Sequence, residues 1–350
     1  MVKNVFCAVA LIAAFSLLSA CGGGSSSDDK PRLVIKQINH DVKTPANVTV
    51  AFKVENSNGD PVPGLQTGDF TNAGEENANF EIWENGSRIS QDESFAKIDP
   101  DTGDFDYYVY LLLDLSKSIL NNSLEETKLG ATTLVEDLFS KGFRRDNLTI
   151  KIGYFDGSNE IRIIQDFSND KDALISSIEE ITKDTSSDPS TNLYGAVVDA
   201  ITELDTTIEN NQKTEEKYIV AGSLVIFTDG TDQANRVSLA DTLKAVKSSR
   251  PNNKIFTIGL GGETNEDILN QIGKDGFRQS EDAQRLSEIF GEIASLIVQE
   301  TESYYVLRYC TPKRAGEANE LKLVAKKENL IGETTLIFNA ENFTSGCVIE

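Results

Sequence analysis

The sequence predicts an α/β fold, a doubly wound and mostly parallel sheet flanked by helices, together with a small antiparallel β-sandwich. Three observations predict it. From Leu33 to about Ile98 apolar and polar residues alternate with period two, the mark of half-buried strands. From Tyr107 strand patterns alternate with helix patterns, and several of the strands are continuous apolar runs of the kind covered on both faces. After Glu300 strand patterns return. The expected division is a sandwich over 32–103, the α/β unit over 104–300, and C-terminal strands over 301–350 that complete the sandwich.

The first twenty residues read as a targeting segment. Lys3 supplies a positive start, and "VFCAVALIAAFSLL" is an apolar run too short for a spanning helix. "LSAC" followed by "GGGSSSDD" resembles the lipobox and tether of bacterial lipoproteins. That resemblance implies lipidation of Cys21, loss of residues 1–20 and a tether over 21–31, with an ordinary small-residue cleavage site as the alternative. Gly22 rather than Asp after the cysteine implies, on the same resemblance, a lipid anchor in the outer membrane of a bacterial envelope. Of four cysteines, Cys7 would leave with the signal and Cys21 would carry lipid. In an oxidising envelope the remaining two, Cys310 and Cys347, are expected to form one disulfide.

In the sandwich region Val48, Val50, Phe52 and Val54 alternate with Thr49, Ala51, Lys53 and Glu55. "ENSNGDPVPGL" and "EIWENGSRI" place hairpin turn signals between such runs. "DPDTGDFD" is a polar break and a boundary signal. In the α/β region strands are expected at 107–113, 148–155, 161–166, 223–228 and 254–259. Ser123 with Glu126 reads as a capping box opening a helix to about Ser140. Further helices fit 171–181, 192–204, 238–249, 265–272 and 282–299.

Charge and composition narrow the function. Acidic residues number 56 against 33 basic ones, with no sustained basic cluster, which argues against a nucleic-acid partner. The single histidine, His40, lies in the sandwich region, where a turn or surface role is expected. A serine hydrolase therefore has no base beside a nucleophile. "DGTDQAN" (229–235) lacks the twelve-residue ladder and terminal Glu of a calcium loop.

"YVYLLLDLSKSIL" runs apolar through Leu113 and then turns to Asp114, Ser116 and Ser118. In an open α/β sheet ligands bind beyond the carboxyl ends of the strands. Asp229 ends another strand in "SLVIFTDGTD", and Thr191 precedes a helix in "SSDPSTNLYGA". Taken alone, Ser116 or Ser118 could equally be a helix cap. Taken together, hydroxyls and carboxylates without thiolate or imidazole suit a hard divalent cation, Mg²⁺ first, with Mn²⁺ or Ca²⁺ as alternatives.

These three segments, "DLSKS", "TNLYGA" and "FTDG", resemble the metal-ion-dependent adhesion site of von Willebrand factor A domains, over about 105–300. The resemblance implies direct metal ligation by Ser116 and Ser118. Thr191 would ligate directly or through water, and Asp114 and Asp229 would act mainly through water. Lys117 would be a solvated neighbour. It further implies a non-catalytic module that binds a protein partner, whose acidic side chain fills the open metal position. Adhesion is one expected role. The alternative is assembly of an envelope complex, or a scaffold subunit with a structural metal. A phosphotransferase using Asp114 is the rival class, but the second carboxylate it needs two residues on is replaced by Ser116.

Overall fold

The computed structural model describes residues 32–67, 78–89, 94–100, 105–140, 148–214, 219–347 and 349. Cys21 and the segments 1–20 and 21–31 lie outside the described residues. Among the described residues no helix is long and apolar enough to cross a membrane.

The chain is mixed α/β, with a central, mostly parallel sheet and two antiparallel sheets. One antiparallel sheet has the order β1 (Leu33–Lys43), β2 (Asn47–Asn56), β12 (Tyr304–Cys310), β5 (Lys97–Asp99). The other has the order β14 (Leu330–Phe338), β13 (Asn319–Lys327), β3 (Phe80–Glu84), β4 (Ser87–Arg88). Each sheet thus combines strands from both ends of the chain. The β3–β4 reversal occurs at Asn85 and Gly86, both at positive φ, as an Asn-Gly hairpin turn requires. Val48, Val50, Phe52, Val54, Ile82, Tyr305 and Leu323 share one core between these sheets. Cys310 and Cys347 are bonded to each other. His40 lies within β1 on the surface rather than in a turn, its ring bonded to Gln37.

The six-stranded sheet has the order β11 (Gly276–Ser280), β10 (Asn253–Leu260), β9 (Ile219–Thr228), β6 (Phe105–Asp114), β7 (Leu148–Phe155), β8 (Arg162–Ser168). Only the β7–β8 pair is antiparallel. Strand β6 explains why the run is apolar throughout. Val109, Leu111 and Leu113 pack on one face, beside α2 (Leu124–Ser140) and α7 (Leu286–Thr301). Tyr110 and Leu112 pack on the other, beside α4 (Leu193–Thr214). The remaining helices are α1 (Lys117–Asn122), α3 (Lys171–Glu179), α5 (Leu239–Ser248) and α6 (Glu266–Ile272). Close α2–α7 packing needs Gly130, because a Cβ there would run into the buried Phe290 ring.

Several expectations need correction. The helix read from Ser123 is preceded by a separate helix, α1. Ser123 is the joint, its N–H donating to the Ile119 carbonyl at 2.9 Å and its own carbonyl accepting from Thr127 N–H at 2.9 Å. Strand β9 begins at Ile219, before the expected 223, and α4 runs on to Thr214. Strand β11 was absent from the expected set: "GFRQS" is polar, and its pairing with β10 supplies what its composition lacks. The alternation in β2 normally implies one solvent-facing side. Instead Thr49, Ala51, Lys53 and Glu55 are all buried. Ala51 belongs to the same core as Tyr107 and Ile297, so the α/β unit covers this face.

Candidate metal centre

Strand register places the candidate residues. Leu113 of β6 lies level with Tyr154 of β7 and Phe227 of β9, so Asp114, Asp156 and Thr228 emerge at one end of adjacent parallel strands. From β6 the chain moves to β7 and β8 on one side, then returns through α4 to β9 on the other. The crevice beside β6 is therefore the topological switch point, the usual ligand site of an open α/β sheet.

Asp114 is fully buried. One carboxylate oxygen accepts the Ser116 N–H at 2.9 Å, and the other accepts the Thr228 hydroxyl at 2.6 Å. Ser116 stands at the N-cap position of α1, yet its side chain makes no cap bond. Its hydroxyl instead lies 3.1 Å from that of Ser118, which donates to Asp229 Oδ1 at 3.0 Å. That disposes of the capping alternative for Ser116. Thr191 is held against the loop that carries Asp229, its carbonyl accepting from Gln233 N–H at 2.8 Å and Ala234 N–H at 3.1 Å. Its hydroxyl lies 3.9 Å from where a Cβ on Gly230 would stand. Lys117 points away, towards the Lys183 carbonyl at 3.4 Å.

Burial pushes the Asp114 carboxyl up to about 7, and the Asp229 charge adds to this, while bonds from Thr228 and Ser116 pull it back. Burial also raises Asp229, with Glu263 adding like charge. Among the described residues no Lys or Arg pairs with either carboxylate. Nor, among the described residues, do three His, Cys, Asp or Glu side chains gather as ligands. A fully buried acid, Asp114, a half-buried one, Asp229, and two hydroxyls thus face one crevice, without a positive partner among the described residues. A small divalent cation fits this donor set in charge and in hardness.

Three contributors escaped the sequence reading. Thr228 holds Asp114. Asp156, buried, accepts from Ser186 Oγ at 2.7 Å and from Ser158 N–H at 2.8 Å and so shapes the loop before Thr191. Asp232 accepts from Tyr194 N–H at 3.0 Å. Thr228 had a local signal, as the residue before Asp229 at the end of a buried strand. The other two pair across loops and had none.

A model of the von Willebrand factor type A domain matches residues 109–292. The chain belongs to this family. The match starts within β6, takes in the other five strands of the six-stranded sheet and includes every candidate metal residue. Among solved structures similar to this chain is BatB, a conserved hypothetical protein from Bacteroides thetaiotaomicron, with 17% identity, 56% of this chain and 100% of that chain covered, and a TM-score of 0.43. The vWF domain of the type V pili tip protein Mfa5 from Porphyromonas gingivalis has 13% identity, coverage of 55% and 95%, and a TM-score of 0.41. Proximal thread matrix protein 1 from the mussel byssus, described with a zinc-occupied MIDAS motif, has 16% identity, coverage of 62% and 49%, and a TM-score of 0.42. At these values the likeness says nothing about function. No curated protein matches.

Proposed function

We propose that this von Willebrand factor A domain is a Mg²⁺-dependent adhesion module that binds a protein partner. The observation that carries the reading is the bonded set Ser116, Ser118 and Asp229, beside a buried Asp114 whose oxygens are held by Ser116 N–H and the Thr228 hydroxyl and pair with no Lys or Arg among the described residues. Ser116, Ser118 and Thr191 would hold the cation by their hydroxyls, with Asp114 and Asp229 balancing its charge. Bound there, the cation supplies a Lewis-acidic position for an acidic side chain of the partner. Asp114 is poorly placed as a phosphotransfer nucleophile, because both of its oxygens are engaged and it is shut off from solvent. Complex assembly in the envelope uses the same site, and a partner retained only with divalent metal serves either role.

Metal-dependent melting tests the site. The wild-type melting temperature should rise with Mg²⁺, since a ligand at 100 times its Kd stabilises the native state by about 2.7 kcal/mol. Thr191→Ala should gain much less while losing only about 1 kcal/mol of intrinsic stability, the scale of one hydrogen bond. Lys117→Ala should respond like wild type. A Mg²⁺ response lost in Lys117→Ala and kept in Thr191→Ala would overturn the assignment.

The lipid anchor at Cys21 belongs to the same proposal and places the module at a bacterial envelope membrane, the outer one on the Gly22 signal. Cys21→Ser should shift the protein from the membrane pellet to the soluble fraction, because acyl chains and not protein surface hold it there. A variant that stays in the pellet after a high-salt wash refutes the anchor.

A further inference from the structure

We propose that Asp232 is a positioning residue that holds Thr191 and the start of α4 in place against the Asp229 loop. The proposal rests on the metal reading above for its functional consequence, but the hold itself is visible in the bonding.

Helix α4 begins at Leu193, and the first N–H groups of a helix need acceptors from outside it. The local candidate is Asn192, immediately before the helix. Its side-chain amide is spent elsewhere, donating to the Ser158 carbonyl at 2.9 Å, while its Oδ1 is buried without a hydrogen-bond partner. The Tyr194 N–H is taken instead by Asp232 Oδ1, from a different loop, at 3.0 Å. A carboxylate is the favoured group at this end of a helix, where the aligned peptide dipoles leave partial positive charge.

The other carboxylate oxygen of Asp232 works within its own loop, accepting the Asn235 N–H at 2.9 Å. Asn235 adopts φ +50°, a conformation that Asn tolerates better than most side chains. That fold of the loop presents Gln233 and Ala234 N–H to the Thr191 carbonyl. Arg236 closes the far side, donating to the Gly157 carbonyl from Nε at 3.1 Å and Nη2 at 2.8 Å. One carboxylate thus joins the loop after β9 to the helix after Thr191. Asp229, three residues earlier on the same loop, takes the bond from Ser118. The separation between the Thr191 and Ser118 sides of the crevice is therefore set by a loop whose shape depends on Asp232.

The experiment measures Mg²⁺ affinity calorimetrically for wild type, Asp232→Ala, Asp232→Asn, Thr191→Ala and the Asp232→Ala/Thr191→Ala pair. It adds amide exchange of the metal-free proteins. Asp232→Ala should weaken Mg²⁺ binding by about 10- to 100-fold, the usual range for a group that orients a metal ligand. Asp232→Asn should recover part of this, because Asn keeps an oxygen for the Tyr194 N–H. In the Thr191→Ala background the Asp232 substitution should cost nothing further, as expected if it acts through Thr191. Exchange should quicken in Asp232→Ala at residues 192–196 and 233–234. Unchanged exchange there, unchanged Mg²⁺ affinity, or an equal loss in the Thr191→Ala background each overturns the proposal. Wild-type protein that takes up no Mg²⁺ sinks the metal reading alone, and the exchange result then decides whether Asp232 holds Thr191 and the start of α4 in place.

Discussion

Glu300→Ala should lower folding stability by about 3 to 5 kcal/mol, the range for removing one partner of a buried ion pair. Glu300, at the end of α7, is buried where the α/β unit meets β2. Lys53 of β2 lies 2.7 Å from it and 2.5 Å from Glu55. Lys254 of β10 approaches Asp275 at 3.2 Å, Glu55 at 3.7 Å and Glu300 at 4.0 Å. The buried Tyr304 hydroxyl donates to Glu300 at 2.9 Å. Truncating Glu300 leaves Lys53 with one carboxylate instead of two and strands that hydroxyl. Lys53→Met combined with Glu300→Gln removes a charge of each sign and should recover part of the loss. Urea denaturation measures all three proteins, and a Glu300→Ala loss below about 1 kcal/mol would show the cluster to be hydrated rather than sealed.

The cluster also sets the pH response. Burial pushes the Glu55 carboxyl up, but Lys53, Lys36 and Lys254 outweigh it and hold the group below the ordinary carboxylate range. The stability from this depressed value is complete above the unfolded Glu value of about 4.3 and is lost as pH falls through the folded value. Lys254 runs the other way: burial lowers it, yet Glu300, Asp275 and Glu55 raise it above the ordinary lysine range. Its contribution is complete below about 10.4 and is lost as pH rises through the folded value. Glu55→Gln should therefore flatten the acid limb of the stability profile and shrink without abolishing the loss above pH 10, because Glu300 and Asp275 still raise Lys254. A variant whose acid limb matches that of wild type would exclude Glu55 as its source.

These residues also show where sequence reasoning stops. Lys53 and Glu55 of β2 read as an exposed face, because period two reports which side of a strand is polar and not what covers it. Burial of that face is decided by Ala51 and by partners more than two hundred positions away, such as Glu300. By contrast, Asp114, Ser116 and Ser118 were legible as a group, since a strand end and the next turn form one local unit. Register then brought Asp229 to Ser118, as strand adjacency in a parallel sheet implies. Asp232 was read only for its failure to match a calcium loop. Its partner, the Tyr194 N–H, is a backbone group that no side-chain motif encodes. Strand β11 and helix α1 were missed because segments of five and six residues carry too few periods to declare themselves.

Removing the Cys310–Cys347 bond should cost about 4 kcal/mol in the chain-entropy account, given a sequence separation of 37. The loss should fall on the sandwich. Cys310 ends β12, and the tail leading to Cys347 lies over the β1–β2 turn, where Thr344 N–H donates to the Pro45 carbonyl at 2.7 Å and Thr311 N–H to that of Ala46 at 3.0 Å. Ala340 and Phe343 of this tail are buried in the sandwich core, so the bond closes a loop that contains β13, β14 and their covering segment. The α/β core contains none of these residues. Trp83, the sole tryptophan, lies on β3 next to β13 and reports the sandwich by fluorescence, whereas the helices of the α/β unit dominate the far-ultraviolet dichroism. In wild type, where the buried charges tie the two parts, both signals should change together. In a Cys310→Ser/Cys347→Ser protein the Trp83 transition should move to lower urea, ahead of the helical one. Superimposed transitions at the wild-type midpoint would mean that the bond adds nothing the tail's own packing does not already supply.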